Sequence, residues 1–488
     1  MSDLICVFDV GTTGTRTVIF DSNGKEIAKA YEEYVIPSQS VGISEQDPKV
    51  WWNAIKNTTN KVVRSGKFNP NDIIGVSGSF ARATVTLLDN NGEILHPALT
   101  WMDEREITDA KGHIDEIVLR NSIPKLLWLK KNKPELFAKT FKILCPDSYT
   151  YMKLCGEFVT DPSNAISGIL NLKTLMLDED LADAYEMPID LWPEVHEPGK
   201  VIGELSSEAA HDLGLKQNTP IILGGGDQQC AALGLGVIEN GQAKVTIGTG
   251  TFVDLVIDEP LRSSVEGIPI FTFPHLIKGK WMLEGVMPGT GTMFQTYARN
   301  FSQLQIKQSE ELSTSVYDIL TNEAEKAPPG SNGLLFVPLY IFKKGTIHGL
   351  GWHHGRPHFA RAIMESAALS GNMYLGMIEA IAGVQTTEVK ADGGGMNSDL
   401  WAQIFSDIMN RKILIPENKD GGALGAAVLG FYGTRTHNSI SNAIKNMCRI
   451  VIEKVPIKEN VKAYKKLVRL FMPTVLETNE KKRVTKDL

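Results

Sequence analysis

One pattern occurs twice in this 488-residue chain and narrows the folds open to it. The first copy runs from Val7 through Asp9, Gly11, Thr12, Thr13, Gly14 and Arg16 to Asp21. The second runs from Val245 through Gly248, Thr249, Gly250 and Thr251 to Asp254. Each copy is an apolar run, a Gly/Thr turn and a second apolar run. Turns of this composition line up backbone N–H groups and hydroxyls in a concave nest that suits phosphate. Two nests in one chain predict two similar lobes that hold a polyphosphate between them.

The length exceeds that of one ordinary domain. A composition of 42% hydrophobic and 22% charged residues is that of a soluble globular protein. A net charge of −7 disfavours a nucleic-acid partner. No apolar run approaches the ~18–20 residues of a membrane span. Met1 to Leu4 leads straight into a strand, without the basic and long apolar regions of a signal peptide. Cys6, Cys145, Cys155, Cys230 and Cys448 are scattered and form no C-x-x-C pair, which predicts reduced core thiols in a cytoplasmic protein.

Residues 4–36 read as three strands, with Asp21 to Gly24 as a hairpin turn. Asp47 and Pro48 open a helix that runs to about Arg64. Ile73–Ser77 and Ala83–Leu88 read as strands, helical patterns dominate 103–155, Pro220–Gly226 reads as a strand broken by glycines, and Gln228–Leu235 as a closely packed helix. The second half has strands at 244–257, a break at Pro328 to Gly330, a long helix from His358 to Ile381, a strand from Val389 to Asp392, a helix from Ser398 to Met409 and a buried helix near Gly422. Strand–helix alternation in both halves predicts an α/β fold. The expected division is a first lobe over 1–242, a second over 243–475 and a charged, unstructured tail over 476–488.

Four clusters carry candidate chemistry. Asp9 beside the first turn could hold a hydrated Mg²⁺, with Thr12, Thr13 and Arg16 on phosphate oxygens; the plain alternative is a hairpin whose acid caps a turn. Asp227 follows Gly224, Gly225 and Gly226, where a carboxylate could take a proton from a substrate hydroxyl, or could simply cap the next helix. Asp392 precedes Gly393, Gly394 and Gly395, whose bare backbone could receive a flat ring such as adenine; a tight strand–helix turn explains it equally. Arg82, Trp101, Asp103 and Arg105 could hydrogen-bond a polyhydroxyl compound, or could be solvated surface groups. His353, His354 and His358 lack the acid of a zinc helix, and Gly355 and Pro357 interrupt the spacing, so His358 reads as a helix opener. The chain has no P-loop motif, no G-x-G-x-x-G after its first strand and no complete nucleophile elbow at Gly75 to Gly78.

Together these motifs resemble the FGGY carbohydrate kinases, a branch of the actin–hexokinase–Hsp70 fold group, from about Leu4 to Gly430. Gly345, Ile347, Gly349 and Leu350, followed after seven residues by His358, Phe359, Ala362, Ile363, Met364 and Glu365, satisfy that family's C-terminal signature. Ser122, Lys125, Leu126, Trp128 and Leu129 fit its other signature, with Arg120 where a small or aromatic residue is usual. Asp161 to Ala165 and Asp420 to Ala427 resemble two further family stretches. The resemblance implies two actin-like, ribonuclease H-like lobes with a cleft between them. It also implies ATP and Mg²⁺ as cofactors and a small sugar or polyol as acceptor. Residue by residue it implies Asp9, Gly11, Thr12, Thr13 and Arg16 as the first phosphate motif and Gly248, Thr249, Gly250 and Thr251 as the second. Gly394, Gly395 and Asn397 would hold adenosine, and Asp9 and Asp227 the metal. Asp227 would be the catalytic base, with Gln228, Arg82, Trp101, Asp103 and Arg105 around the acceptor. Many relatives are homodimers or homotetramers.

The acceptor is the open point. Glycerol kinases carry Q-R-E-T, and xylulose kinases G-Q-M-H-G, where this chain has Gly78 to Ala83. The spacing is closest to the autoinducer-2 kinases, with Ala83 where they have an acid. The expected substrate is a pentulose such as xylulose or a related ketose, with an autoinducer-2-like dione or a glycerol- or erythritol-type polyol as the alternative. A catalytically silent nucleotide sensor and a chaperone or filament protein are the rivals of other classes. Intact Asp9 and Asp227 disfavour the first, and the sugar-kinase signatures the second.

Overall fold

The structure is a computed structural model that describes residues 3–34, 42–103, 105, 121–261, 263–265, 268–338 and 345–484. Arg120 therefore lies outside the described residues. The chain divides into two compact units. Residues 1–238, 258–282 and 420–449 form the first, and 239–257, 283–419 and 450–488 the second. The chain first crosses between units after residue 238 and returns twice to the first unit, returns that no feature of the sequence marked.

In chain order the elements that matter are β1 (Leu4–Val10), β2 (Gly14–Asp21), β3 (Glu26–Glu33), α1 (Lys49–Arg64), β4 (Ile73–Phe80), β5 (Val85–Leu88), α2 (Ser122–Asn132), β6 (Lys142–Leu144) and α3 (Pro146–Cys155). There follow β7 (Val201–Glu204), β8 (Pro220–Ile222), β9 (Gly225–Gly226), α4 (Asp227–Gly234), β10 (Ala243–Ile247), β11 (Thr251–Ile257) and α5 (Thr290–Phe301). The last are α6 (Arg356–Ala382), β12 (Glu388–Asp392), α7 (Asp399–Met409), β13 (Lys412–Pro416), α8 (Gly421–Gly433), β14 (Ile450–Lys454) and α9 (Lys458–Val484).

The main sheet of the first unit runs β7-β8-β4-β1-β2-β3, with β9 also paired to β4. The β1–β2 hairpin is antiparallel, whereas β1 and β4 are parallel. Side chains alternate across a strand, so β1 feeds two cores. Cys6, Phe8 and Val10 pack in one cluster with Trp51, Ile55 and Val62 of α1 and Tyr151 of α3. Ile5 and Val7 pack in the other with Cys230 and Leu233 of α4 and Ala423, Ala427 and Phe431 of α8. Helices on both faces explain why β1 is apolar at nearly every position. The pairing of α4 with α8 depends on small residues: a Cβ on Gly425 would lie 1.9 Å from the carbonyl oxygen of Cys230. No side chain larger than hydrogen fits there.

The second unit repeats the plan. Five consecutive strands of an eight-stranded sheet run β11-β10-β12-β13-β14, again with an antiparallel hairpin (β10–β11) beside a parallel neighbour (β12). Helix α6 is its spine. Glu365 on α6, almost wholly buried, accepts from Gly330 N at 2.9 Å, Ser331 Oγ at 2.8 Å, Arg361 Nε at 2.8 Å and Tyr464 Oη at 2.8 Å. Burial raises its pKa while Arg361 opposes the rise. The polar residues of the C-terminal signature thus tie α6 to α9 and to the turn after Pro329.

Helices dominate the described part of 103–155, as expected, with the strand β6 between them paired to β5; residues 104 and 106–120 lie outside the described residues. Two local expectations are corrected. The strand expected from Ala83 begins at Val85, because Ala83 has a left-handed backbone with φ of 56°. Helix α9 continues to Val484 through most of the expected unstructured tail; residues 485–488 lie outside the described residues.

Candidate active site

In the first unit the parallel pairing gathers the predicted groups at one end of the sheet. Asp9 lies opposite Ser79 in the β1–β4 register, and Gly225 opposite Ser79 in the β9–β4 register. The strand ends of β1, β4 and β9 therefore deliver Asp9, Ser79 and, one residue after β9, Asp227 to the same edge. Carboxyl ends of parallel strands are where ligands bind in open α/β sheets.

The turn after β1 is closed by Gly11 N on Gly14 O at 3.0 Å. Tyr34 Oη donates to Gly11 O at 2.6 Å, and Gln46 Nε2 to Thr12 O at 3.3 Å. Thr13 is exposed and Thr12 half-buried. Arg16, facing Asp9 across the hairpin, places Nε 3.3 Å from Asp9 Oδ2 and Nη1 2.6 Å from Asp420 Oδ2. Burial pushes the pKa of Asp9 up to about 6. Arg16 pulls it down, Asp420 raises it, and Ser79 and Asp227 add smaller effects of opposite sign. Three carboxylates and a guanidinium thus share one field.

Asp227 opens α4, with Gly226 rather than Asp227 at the capping position. Its Oδ1 accepts from Gln228 N at 2.8 Å and lies 3.3 Å from Arg82 Nε. The Arg82 guanidinium sits over the Phe273 ring at 4.3 Å. The glycine run before Asp227 is held from below by residues the sequence reading left out of the site. Tyr151 Oη accepts from Gly224 N at 2.8 Å, and Ser163 Oγ accepts from Gly226 N at 2.8 Å. Ser163 in turn donates to the buried Asp161 carboxylate at 2.5 Å, which also receives Asn164 Nδ2 at 2.6 Å. An acid, Pro162 and a serine at capping spacing were the available signal.

The second acceptor-side stretch is partly committed to protein partners. Asp103, fully buried, accepts from Ser44 N at 2.8 Å and from Arg105 Nη2 at 2.7 Å. Arg105 also pairs with Glu45 at 2.8 Å and lies 4.3 Å over the Trp128 ring. Trp101 Nε1 donates to Thr12 Oγ1 at 2.9 Å, which joins this stretch to the first Gly/Thr turn. Gln228 is almost wholly buried.

In the second unit Gly248 N donates to Gly250 O at 3.0 Å, closing the other turn. Gly248 and Thr249 are exposed. Thr251 Oγ1 and Thr290 Oγ1 are 2.9 Å apart, and Thr292 N reaches Thr249 O at 3.2 Å, so the start of α5 rests on the turn. A Cβ on Gly291 would fall 1.8 Å from Gly248 O. Thr246 Oγ1 donates to Asp392 Oδ1 at 2.5 Å. Gly394 is exposed with open space at its Cβ position, and Asn397 Oδ1 accepts from Lys419 Nζ at 3.1 Å.

A magnesium ion takes oxygen ligands, keeps several waters and needs only one or two carboxylates beside substrate phosphates. The first unit fits that demand. A Cβ on Gly422 would lie 3.1 Å from Ser79 Oγ and 3.7 Å from Asp9 Oδ1, so the bare glycine leaves room beside these oxygens. Among the described residues no group of three or more His, Cys, Asp or Glu forms a protein-only cage. That includes His353, His354 and His358, of which His358 Nδ1 accepts from Gly355 N at 3.2 Å at the start of α6.

Comparison with known proteins gives consistent matches along the whole chain. The model of the FGGY family of carbohydrate kinases, N-terminal domain, matches residues 4–234, and that of the C-terminal domain matches 243–434. A gluconokinase of Bacillus subtilis (strain 168) is 28% identical over 499 residues, covering 97% of this chain and 95% of the relative. A xylulose kinase of the same strain is 28% identical over 494 residues, covering 97% and 96%. Among solved structures, gluconate kinase from Lactobacillus acidophilus superposes with a TM-score of 0.84 at 26% identity, covering 97% of this chain and 98% of that one.

Proposed function

The chain belongs to the FGGY family of carbohydrate kinases, and from that premise we propose that it transfers the γ-phosphoryl group of ATP to a hydroxyl of a pentulose such as xylulose, or of a related ketose. Membership makes it a phosphotransferase with an alcohol group as acceptor and a small sugar-like molecule as substrate, and implies ATP as the donor. The class is α/β with actin-like units. The choice of acceptor, the metal and the individual roles are our reading.

The observation that carries it is the position of Asp227. It stands at the sheet edge that also presents Asp9, within 3.3 Å of Arg82, on a glycine run pinned by Tyr151 and Ser163. Phosphoryl transfer passes through a loose transition state, so positioning and charge neutralisation do most of the catalysis. We assign Asp227 to orient the acceptor hydroxyl and take its proton, and Arg82 to fix the Asp227 carboxylate. The turn Gly11 to Thr13, with Arg16, would bind phosphate oxygens through backbone and side-chain donors. Gly248 to Thr251 would do the same without charge. Gly394, Gly395 and Asn397 would receive adenosine. Mg²⁺, when bound, neutralises charge on the β/γ oxygens; Asp9, with Asp227, would hold it.

A second acceptor class has a specific observation behind it. It is a sugar acid, the acceptor class named by the gluconokinase relative and the gluconate kinase structure that match 97% of this chain. An autoinducer-2-like dione and a polyol remain the alternatives from the Gly78 to Ala83 stretch. Among the described residues no helix is long and apolar enough to cross a membrane. We place the enzyme in the cytoplasm, as a homodimer or homotetramer acting on a small molecule without a nucleic-acid partner. The test is ADP release with D-xylulose, D-ribulose, D-gluconate, glycerol, erythritol and an autoinducer-2 precursor, each with wild type and Asp227→Asn. We expect one acceptor to stand out and the variant to bind ATP yet lose at least about 10³-fold in turnover. Near-normal turnover by the variant rejects the assignment, and no ADP with any acceptor favours a silent sensor.

A further inference from the structure

The turn after β4 carries backbone strain. Ala83 has φ of 56°, a region that residues with a Cβ avoid. Such a residue persists only where its surroundings over-determine it. Here the determinant is a buried cation. Lys125 on α2 is fully buried, and its Nζ donates to Ala83 O at 2.8 Å and to Asn121 Oδ1 at 2.8 Å. Asn121 Nδ2 reaches Trp101 O at 3.4 Å, and Trp101 N donates to Thr84 Oγ1 at 3.3 Å. A closed ring of contacts therefore joins residues 83–84 to residue 101 through one ammonium group. Both oxygens held by Lys125 are neutral, so its burial is not offset by an ion pair through them. Burial lowers its pKa to about 7, opposed by Asp103 and Cys145, the titratable groups that face it.

The two segments so joined each present a group to the proposed acceptor side. Arg82 is adjacent to Ala83 and reaches Asp227. Trp101 reaches Thr12. We propose that Lys125, with Asn121, is a positioning residue for acceptor recognition: it fixes the carbonyls of Ala83 and Trp101 and thereby sets the aim of Arg82 and Trp101. The proposal rests on the reading of Arg82 and Trp101 as acceptor-side residues. Lys125 itself touches no reacting atom.

Lys125→Met keeps the length of the stem and removes the donors. Asn121→Ala leaves the Ala83 contact and removes the link to Trp101. Initial rates of ADP release are measured against D-xylulose and D-gluconate at saturating MgATP, and against MgATP at saturating acceptor. We expect the acceptor KM to rise about tenfold or more in Lys125→Met and about threefold in Asn121→Ala, kcat to fall as Arg82 loses its aim on Asp227, and KM for MgATP to stay within about threefold of wild type. Should Lys125→Met fail to fold, Asn121→Ala decides. An unchanged acceptor KM, or an equal rise in the KM for MgATP, overturns the proposal. Asp227→Asn is measured alongside. Wild-type turnover there would remove the acceptor-site reading itself, whereas its loss beside an unchanged KM in the Lys125 variant would overturn only the positioning role.

Discussion

The two hairpins share a backbone plan and divide its chemistry differently. Aligned on their turns, Asp9 of β1 corresponds to Thr246 of β10. The parallel neighbour brings Ser79 opposite Asp9 and Asp392 opposite Thr246. Carboxylate and hydroxyl have thus exchanged strands. Across the hairpin, Arg16 faces Asp9 while Phe252 faces Thr246. The second unit carries its hairpin charge two residues earlier, where Lys244 and Asp254 pair at 2.7 Å, both fully buried. The first turn therefore has a carboxylate on its own strand, beside Arg16, and the second a hydroxyl, which donates to the carboxylate of the neighbouring strand. On the proposed function both turns bind phosphate, and the first alone handles a metal or a proton.

The largest expected effect tests that asymmetry directly. Asp9→Asn should lower kcat/KM for MgATP by at least about 10³-fold, on the scale of losing a main electrostatic stabiliser of charge in the transition state. It should not unfold the protein. Burial raises the Asp9 pKa above its unfolded value, so the ionised form is disfavoured in the fold, and stability from this group falls as pH rises through about 6. Asp9→Asn should therefore melt at an equal or higher temperature at pH 7.5, checked by calorimetry. A clear drop in melting temperature would make Asp9 a structural acid. The same shift predicts opposite pH trends in wild type. As pH falls from 7 to 5, kcat/KM for MgATP should fall about tenfold as Asp9 takes up a proton, while the contribution of Asp9 to stability rises. A flat rate profile across that range would place the titrating group elsewhere.

Much of this was legible in advance, for physical reasons that differ by element. The hairpins could be read because Gly/Thr turns between apolar runs have few other uses, and α6 and α8 because long apolar or small-residue helices leave a strong pattern. Strand β6 could not, since three residues between Phe141 and Cys145 show no period. Nor could the return of 420–449 to the first unit, which depends on the contact of Gly425 with Cys230 nearly two hundred residues away in sequence. Among the candidate site residues, Asp9 and Asp227 stood out because acids beside glycine are conspicuous. Tyr151, Ser163 and Asp420 act through backbone contacts and fields that only the fold assembles. Asp103 and Arg105 were read as ligands, and their charges prove to be paired with each other and with Glu45.

The smaller effects separate binding from stability on the second hairpin. Thr246→Val keeps the shape but withdraws the 2.5 Å hydrogen bond to Asp392, a residue that is itself almost wholly buried. Weakening the solvation of a buried carboxylate costs about 1–3 kcal/mol, so urea unfolding of the second unit should shift to lower concentration with kcat nearly unchanged. A loss of kcat without a loss of stability would give Thr246 the role that the comparison reserves for Asp9. Gly248→Ala should do the reverse. The position is exposed and a Cβ there meets nothing within 4 Å, so folding stability should stay within about 0.5 kcal/mol of wild type. The methyl would nevertheless project from a turn proposed to receive phosphate through its bare backbone. The KM for MgATP should rise about three- to tenfold, with the acceptor KM unchanged. An unaltered KM would mean that the uncharged nest lies outside the nucleotide site. The two hairpins would then share a fold without sharing a ligand.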